Sequence, residues 1–176
     1  AMLGTGQFHR LPALLERQFT DDREPSSAPV SFKSAPSGFH DAKTPRPLRR
    51  GQLSSYLRVS EGCNHRCTFC VIPQLRGNLK SRPPKDIFAE GKSLVERGVR
   101  ELVVISQDTT DYGGDLSPKK NICDVVEEIA SWPDLRWLRL LYSYPSEVTD
   151  RLIRLLAEEP KLCGYLDMPL QHISDP

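Results

Sequence analysis

Apolar positions along this chain keep two rhythms, helical spacing and short unbroken runs, and the switches between them mark out its elements. Leu11, Leu14, Leu15 and Phe19 recur at three- and four-residue intervals, which predicts one short amphipathic helix over residues 9–19. The stretch after it, "TDDREPSSAPVSFKSAPSGFHDAKTPRPLRRG", carries Pro25, Pro29, Pro36, Pro45 and Pro47 among serines and charges. That is the composition of a linker, with room for a brief extended piece at Val30 to Phe32. From about Ser55 a repeat begins. "SYLRVS" is a first strand leading into a cysteine-rich loop. "IFAEGKSLVERG" puts Ile87, Gly91, Leu94 and Val95 on one helical stripe, with Asp86 as N-cap and Gly98 as stop. "ELVVIS" is an unbroken apolar run suited to a buried parallel strand. "NICDVVEEIASW" is a helix opened by Asn121, "LRWLRLLY" a third strand, and Val148, Leu152, Leu155 and Leu156 a third helix. "YLDMPL" begins a fourth strand.

Strand–helix alternation of this kind predicts an α/β fold with a parallel sheet and covering helices. Such sheets carry their ligands beyond the C-terminal ends of the strands. Three polar stretches fall there: the cysteine loop, "SQDTTDYGG" and "YSYPSE".

Composition adds little to this picture, and charge adds an asymmetry. The 176 residues carry a formal net charge of +1. Residues 43–100 hold 13 Lys/Arg against 4 Asp/Glu, whereas residues 101–176 hold 7 against 14. The cysteine-bearing segment is basic and could steer an anion; two solvated faces of one domain would read the same way. No apolar run approaches the roughly 20 residues of a membrane span, so no membrane partner is expected. The N-terminal residues do not read as a secretory signal. Five cysteines, an odd number with three clustered, suit metal chemistry in a reducing cytoplasm better than a disulfide framework.

The cluster is "SEGCNHRCTFC", with Cys63, Cys67 and Cys70 spaced C-x3-C-x2-C. A structural zinc site takes four ligands, and the fourth would have to be His65, cramped between Cys63 and Cys67, or a remote group such as His172. A cubane iron–sulfur cluster also takes four thiolates. With three, one iron stays open to an exogenous ligand, as catalytic metal sites require.

At these residues the chain resembles the radical S-adenosylmethionine superfamily: three cysteines at this spacing, an aromatic (Phe69) before the last, and a strand just upstream. The resemblance implies a 4Fe–4S cluster on Cys63, Cys67 and Cys70, with S-adenosylmethionine on the open iron and a 5′-deoxyadenosyl radical as its product. The longer run "SEGCNHRCTFCVIPQLRGNLKSRP" is similar to the methylthiotransferase family within it. "SQDTTDYGGDL" and "YLDMPLQHISDP" are similar to its branch acting on an aspartate of ribosomal protein S-twelve (the RimO type) rather than the branch acting on tRNA adenosine. The resemblance runs from about Pro45 to Pro176.

It implies an α/β fold that is the first half of a partial TIM-type barrel over residues 51–176. A linker over residues 21–50 and the end of a truncated N-terminal domain over residues 1–20 precede it. The parent is expected to be a methylthiotransferase with ribosomal protein S-twelve as substrate and an electron donor as partner. A second, auxiliary 4Fe–4S cluster would sit in the missing N-terminal domain, and this fragment alone would be inactive. The rival readings are a tRNA adenosine methylthiotransferase and a non-enzymatic zinc module.

The same resemblance implies cofactor contacts at Phe69, Gln107, Asp108, Thr109 and Gln171; a surface turn is the ordinary reading of residues 107–109. Tyr142, Tyr144, Ser146 and His172 are candidates for the pocket wall, with Pro145 ending the third strand. Arg76, Lys80 and Arg82 are candidates for meeting a carboxylate or nucleic acid, or else a solvated face. Cys123 and Cys163 are expected to be buried, inert thiols.

Overall fold

The computed structural model describes residues 11–20, 42, 44 and 46–170. Helix α1 (Leu11–Thr20) stands where its spacing predicted it. The extended piece at Val30 to Phe32 lies outside the described residues, as does most of the expected linker.

The alternating part forms a three-stranded parallel sheet in the order β1 (Ser54–Arg58), β4 (Glu101–Ile105), β5 (Trp137–Leu140). Ser55, Leu102 and Leu138 lie abreast, and so do Leu57, Val104 and Leu140. Those rows face the helices, and every residue in them is buried. On the opposite face Tyr56 and Trp137 are exposed and Arg139 pairs with Glu101. The sheet is thus covered by helices on one side only among the described residues, the half-layer expected of part of a barrel.

Helix α3 (Pro84–Glu96) crosses from β1 to β4 with Ile87, Gly91, Leu94 and Val95 buried, the stripe the spacing predicted. Its start differs from expectation. Asp86 is not the N-cap: the helix opens on Pro83 and Pro84, whose missing N–H groups cost nothing in a first turn. Asp86 sits one turn in, where its carboxylate accepts bonds from the Arg82 guanidinium and the Ala42 N–H. Gly98 does end the helix, at φ 99°, with Val99 N–H bonded back to Leu94.

Helix α4 (Ile122–Ala130) starts in a capping box: the Asn121 side chain takes the Asp124 N–H, and Asp124 takes the Asn121 N–H. Helix α5 (Asp150–Glu158) is capped by Thr149. Gly91 lets α3 approach closely, since a Cβ there would stand 2.8 Å from the Trp132 ring.

Three features depart from the sequence reading. A two-residue antiparallel ladder, β2 (Ser60–Glu61) with β3 (Lys80–Ser81), closes the base of the cysteine loop. A one-turn helix, α2 (Ile72–Arg76), sits inside that loop. The expected fourth strand is not a regular strand. Its chain meets β5 at Leu162–Cys163 and again at Asp167, where Ser143 N–H reaches the Asp167 carbonyl. Between these points the Tyr165 N–H turns back onto the Cys163 carbonyl, which breaks the ladder. No helix among the described residues is long and apolar enough to cross a membrane.

Candidate active site

Because the strands are parallel, their C-terminal ends share one edge, and three loops meet there around a cavity of about 170 Å3. The cysteine loop contributes Cys63, His65, Cys67, Phe69 and Cys70. The loop after β4 contributes Gln107 and Asp108, the loop after β5 contributes Tyr142, Ser143 and Tyr144, and Pro169 completes the wall.

The cysteine loop is shaped by its own hydrogen bonds. Cys63 N–H reaches the Gly77 carbonyl at 3.2 Å, and Leu79 N–H reaches Asn64 Oδ1 at 3.1 Å. Arg66 spans the loop from the Asn64 carbonyl to Asn78 Oδ1. Gly62 enters it at φ 79°, donating its N–H to Gln107 Oε1 at 2.8 Å. A Cβ at Gly62 would fall 2.2 Å from the Asn78 carbonyl oxygen, so no side chain fits. Gly62→Ala is therefore expected to displace Cys63, cost at least about 2 kcal/mol of stability and sharply reduce iron uptake. Chemical denaturation and iron analysis of the variant check this.

Asp108 is 3% exposed, and its two oxygens have different tasks. Oδ1 accepts from Thr110 N–H, Thr110 Oγ1 and Asp111 N–H, fixing the turn after β4. Oδ2 lies 2.7 Å from His65 Nε2. The His65 ring in turn stacks on Tyr144, centroids 3.7 Å apart at 18°. One residue from each of three loops thus locks the cavity wall. His65 is thereby engaged with Asp108 through Nε2 and with Tyr144 through its ring face.

Burial pushes the Cys63 thiol up, and Asp108, Cys70 and Cys67 add to that against an opposing hydrogen bond from the His65 backbone. Asp111 is also raised, first by burial and then by Asp108 and Glu147.

Tyr142 is the one non-glycine residue with positive φ, 62°, among the described residues. For a bulky side chain that conformation costs about 1–2 kcal/mol. Thr109 explains how it is held. Its N–H reaches the Tyr142 carbonyl at 2.9 Å, and its hydroxyl donates to the carbonyls of Leu141 and Tyr142. Thr109 is fully buried and does not line the cavity. Its hydroxyl is turned to the loop after β5.

The other sequence candidates divide. Phe69 is exposed at the rim. Ser146 is exposed, bonded to Glu147 and absent from the cavity wall. Pro145 opens a 3-10 turn over Pro145–Glu147 after β5 has ended. Gln171 and His172 lie outside the described residues. Arg82 is not a surface contact for a carboxylate or nucleic acid: it is 2% exposed and spent inside the fold on Asp86 and Glu90. Arg76 pairs with Glu61, and Lys80 is exposed. Cys123 is buried as expected, whereas Cys163 is only half-buried at the sheet margin, where its N–H donates to the Leu138 carbonyl.

Sequence reasoning missed Ser143 and Gly62. Gly62 carried a signal, a glycine between a strand and the first cysteine; Ser143 carried none.

The clustered thiols have the donor chemistry of an iron–sulfur cluster. None of the five cysteines is in a disulfide, and the clustered three are partly exposed to one cavity. Among the described residues no three Cys, His, Asp or Glu side chains converge as one ion would need. A cubane asks for something else, since each thiolate takes its own iron at a separate corner.

A model of the radical SAM superfamily matches residues 57–176. The chain belongs to the radical SAM superfamily. Among radical SAM relatives, the ribosomal protein uS12 methylthiotransferase RimO of Citrifermentans bemidjiense is 42% identical over 175 residues, covering 99% of this chain and 38% of that protein. The RimO of Syntrophus aciditrophicus is 47% identical over 135 residues, 77% of this chain and 30% of its own. That of Clostridioides difficile is 38% identical over 175 residues. The chain therefore spans under two-fifths of the length of these relatives.

Among solved structures, the radical SAM methyltransferase TsrM of Kitasatospora setae, with cobalamin and a 4Fe–4S cluster bound, superposes with a TM-score of 0.52. That match has 20% identity and covers 68% of this chain and 22% of that one. The same enzyme with tryptophan and aza-SAM gives 0.54 over 71% and 23%. At that identity the likeness carries the fold alone, and the fold agrees with a partial radical SAM barrel.

Proposed function

We propose that Cys63, Cys67 and Cys70 hold a 4Fe–4S cluster with one open iron. The chain would then be the cluster-bearing part of a methylthiotransferase that modifies an aspartate of ribosomal protein S12 in the cytoplasm. One observation carries the reading: the three thiols of C-x3-C-x2-C line one cavity at the C-terminal edge of a parallel sheet. The near full-chain likeness to proteins named as uS12 methylthiotransferases supports the substrate. Neither the tRNA adenosine reading nor the zinc reading has a comparable observation behind it.

When bound, the cluster and S-adenosylmethionine supply reductive C–S cleavage and a carbon radical, which makes an electron donor a necessary partner. The chain's own residues orient and enclose. Gly62 and Asn64 fix where Cys63 points. The His65–Asp108–Tyr144 contacts hold the wall in place. Phe69 and Gln107 lie on the same wall as cofactor contacts, and Asp108 serves through His65.

Anaerobic iron–sulfur reconstitution of the chain tests the reading. About four irons per chain are expected, with an EPR signal of the reduced cluster that changes on adding S-adenosylmethionine. Zinc uptake in place of iron would overturn it. Offering the reconstituted protein both S12 and tRNA, and reading mass shifts on each, separates the two substrates.

A further inference from the structure

Two adjoining residues after β5 are odd in ways that packing alone does not explain. Tyr142 is held left-handed at φ 62° yet is 49% exposed, so its ring gains little from the core in return. Ser143 beside it is 2% exposed, and its hydroxyl has no hydrogen-bond partner. Buried hydroxyls are normally bonded, and a native orphan calls for a missing partner. Of the three such serines among the described residues, Ser55, Ser60 and Ser143, only Ser143 lines the cavity shared by the cysteines.

The pair is also held from two sides. Thr109, on the β4 loop, donates to the Leu141 and Tyr142 carbonyls. Asp167 takes the Tyr142 N–H on Oδ2 at 3.2 Å and the Ser143 N–H on its carbonyl at 2.8 Å. Strained residues persist only where their surroundings over-determine them, and they gather at ligand sites.

We propose that Tyr142 and Ser143 are a ligand-contact pair for the nucleoside part of S-adenosylmethionine. The Tyr142 ring lies along the planar base, and the Ser143 hydroxyl bonds a polar atom of the nucleoside. A flat heterocycle and a hydroxyl-bearing sugar are what one aromatic face and one orphan hydroxyl recognise. The proposal rests on the reading of this cavity as the S-adenosylmethionine site.

The test sets stability against binding. Tyr142→Gly relieves the left-handed backbone and removes a half-exposed ring, so its melting temperature is expected to equal or exceed that of the parent chain. Ser143→Ala removes an unbonded hydroxyl and should melt unchanged. Affinity is read by equilibrium dialysis of S-adenosylhomocysteine, which is not cleaved, on the reconstituted chain and the metal-free chain. We expect a tenfold or greater loss for Tyr142→Gly, a fivefold loss for Ser143→Ala and near-parental binding for Tyr142→Phe. Adenosine should compete and methionine should not.

Unchanged affinity in both variants overturns the proposal, as does competition by methionine alone or no binding by either form of the parent chain. The cluster reading fails separately. A chain that takes up no iron but binds S-adenosylhomocysteine through Tyr142 loses the cluster and keeps the pair. A chain that takes up iron with both variants binding normally does the reverse.

Discussion

Replacing Cys63, Cys67 or Cys70 singly by Ala is expected to drop iron from about four per chain to below one after anaerobic reconstitution, a near-complete loss. The three are not interchangeable with the remaining cysteines. Cys123 is buried in the first turn of α4, and Cys163 sits at the sheet margin away from the cavity. Neither can move in to replace a missing thiolate, and Cys163→Ala should take up iron normally.

The loss should not come from unfolding. The loop is fixed by Gly62, Asn64, Arg66 and the β2–β3 ladder, none of which uses a thiol. Metal-free variants and metal-free parent should therefore unfold within about 1 kcal/mol of one another, as expected for partly exposed positions. Iron analysis beside chemical denaturation reads both. A single-cysteine variant that kept its full iron would sink the ligand assignment.

Arg82→Ala is expected to be among the most destabilising substitutions in the chain, by about 3–5 kcal/mol, the cost of breaking a buried ion pair from one side. The guanidinium uses both faces of its fork. Nε and Nη2 donate to Asp86 Oδ2 at 3.0 and 2.7 Å, and Nη1 donates to Glu90 Oε2 at 2.6 Å and the Arg58 carbonyl at 2.7 Å. Its backbone is as heavily engaged, with the N–H on Val59 and the carbonyl taking the Tyr112 hydroxyl. Arg82→Lys should recover only part of the loss, because an ammonium cannot reproduce the fork.

The pH dependence adds a signature. Burial alone would raise Asp86, but the Ala42 N–H and Arg82 outweigh it and hold the carboxyl below its ordinary value. A depressed acid contributes stability above its unfolded pKa and loses it as pH falls through the folded value. The parent chain should thus lose this contribution below about pH 4, and the Arg82→Ala chain should show a flatter acid limb there. Denaturation midpoints between pH 3 and 7 measure the difference.

Arg82 also shows where sequence reading stops. As a basic residue near other basic residues it looks like surface, and its acidic partners four and eight positions on look like the polar side of a helix. Only the angle of α3 against β1 turns that side inward. The parallel sheet was legible because apolar runs and helical stripes alternate at a spacing that few other folds use. The three thiols were legible because their spacing is local.

What was not legible depends on contacts across loops. Gln107, Asp108 and Thr109 read alike in the sequence, yet Asp108 fixes a turn and holds His65 while Thr109 clamps Tyr142. The β2–β3 ladder is two residues long, below any periodicity. The interrupted fourth strand reads as apolar alternation, and only the turn at Tyr165 reveals the break.

The hydrogen bonds that shape the cysteine loop bear on when iron can enter. In small zinc domains the metal is the core, and the chain is unfolded until it binds. Here the entrance glycine, the asparagine brace and the closing ladder set the loop's course through bonds in which no thiol takes part. Cluster assembly then becomes a loading step on a finished fold. Oxidative loss of the iron would leave behind a chain that is still folded and can be charged again.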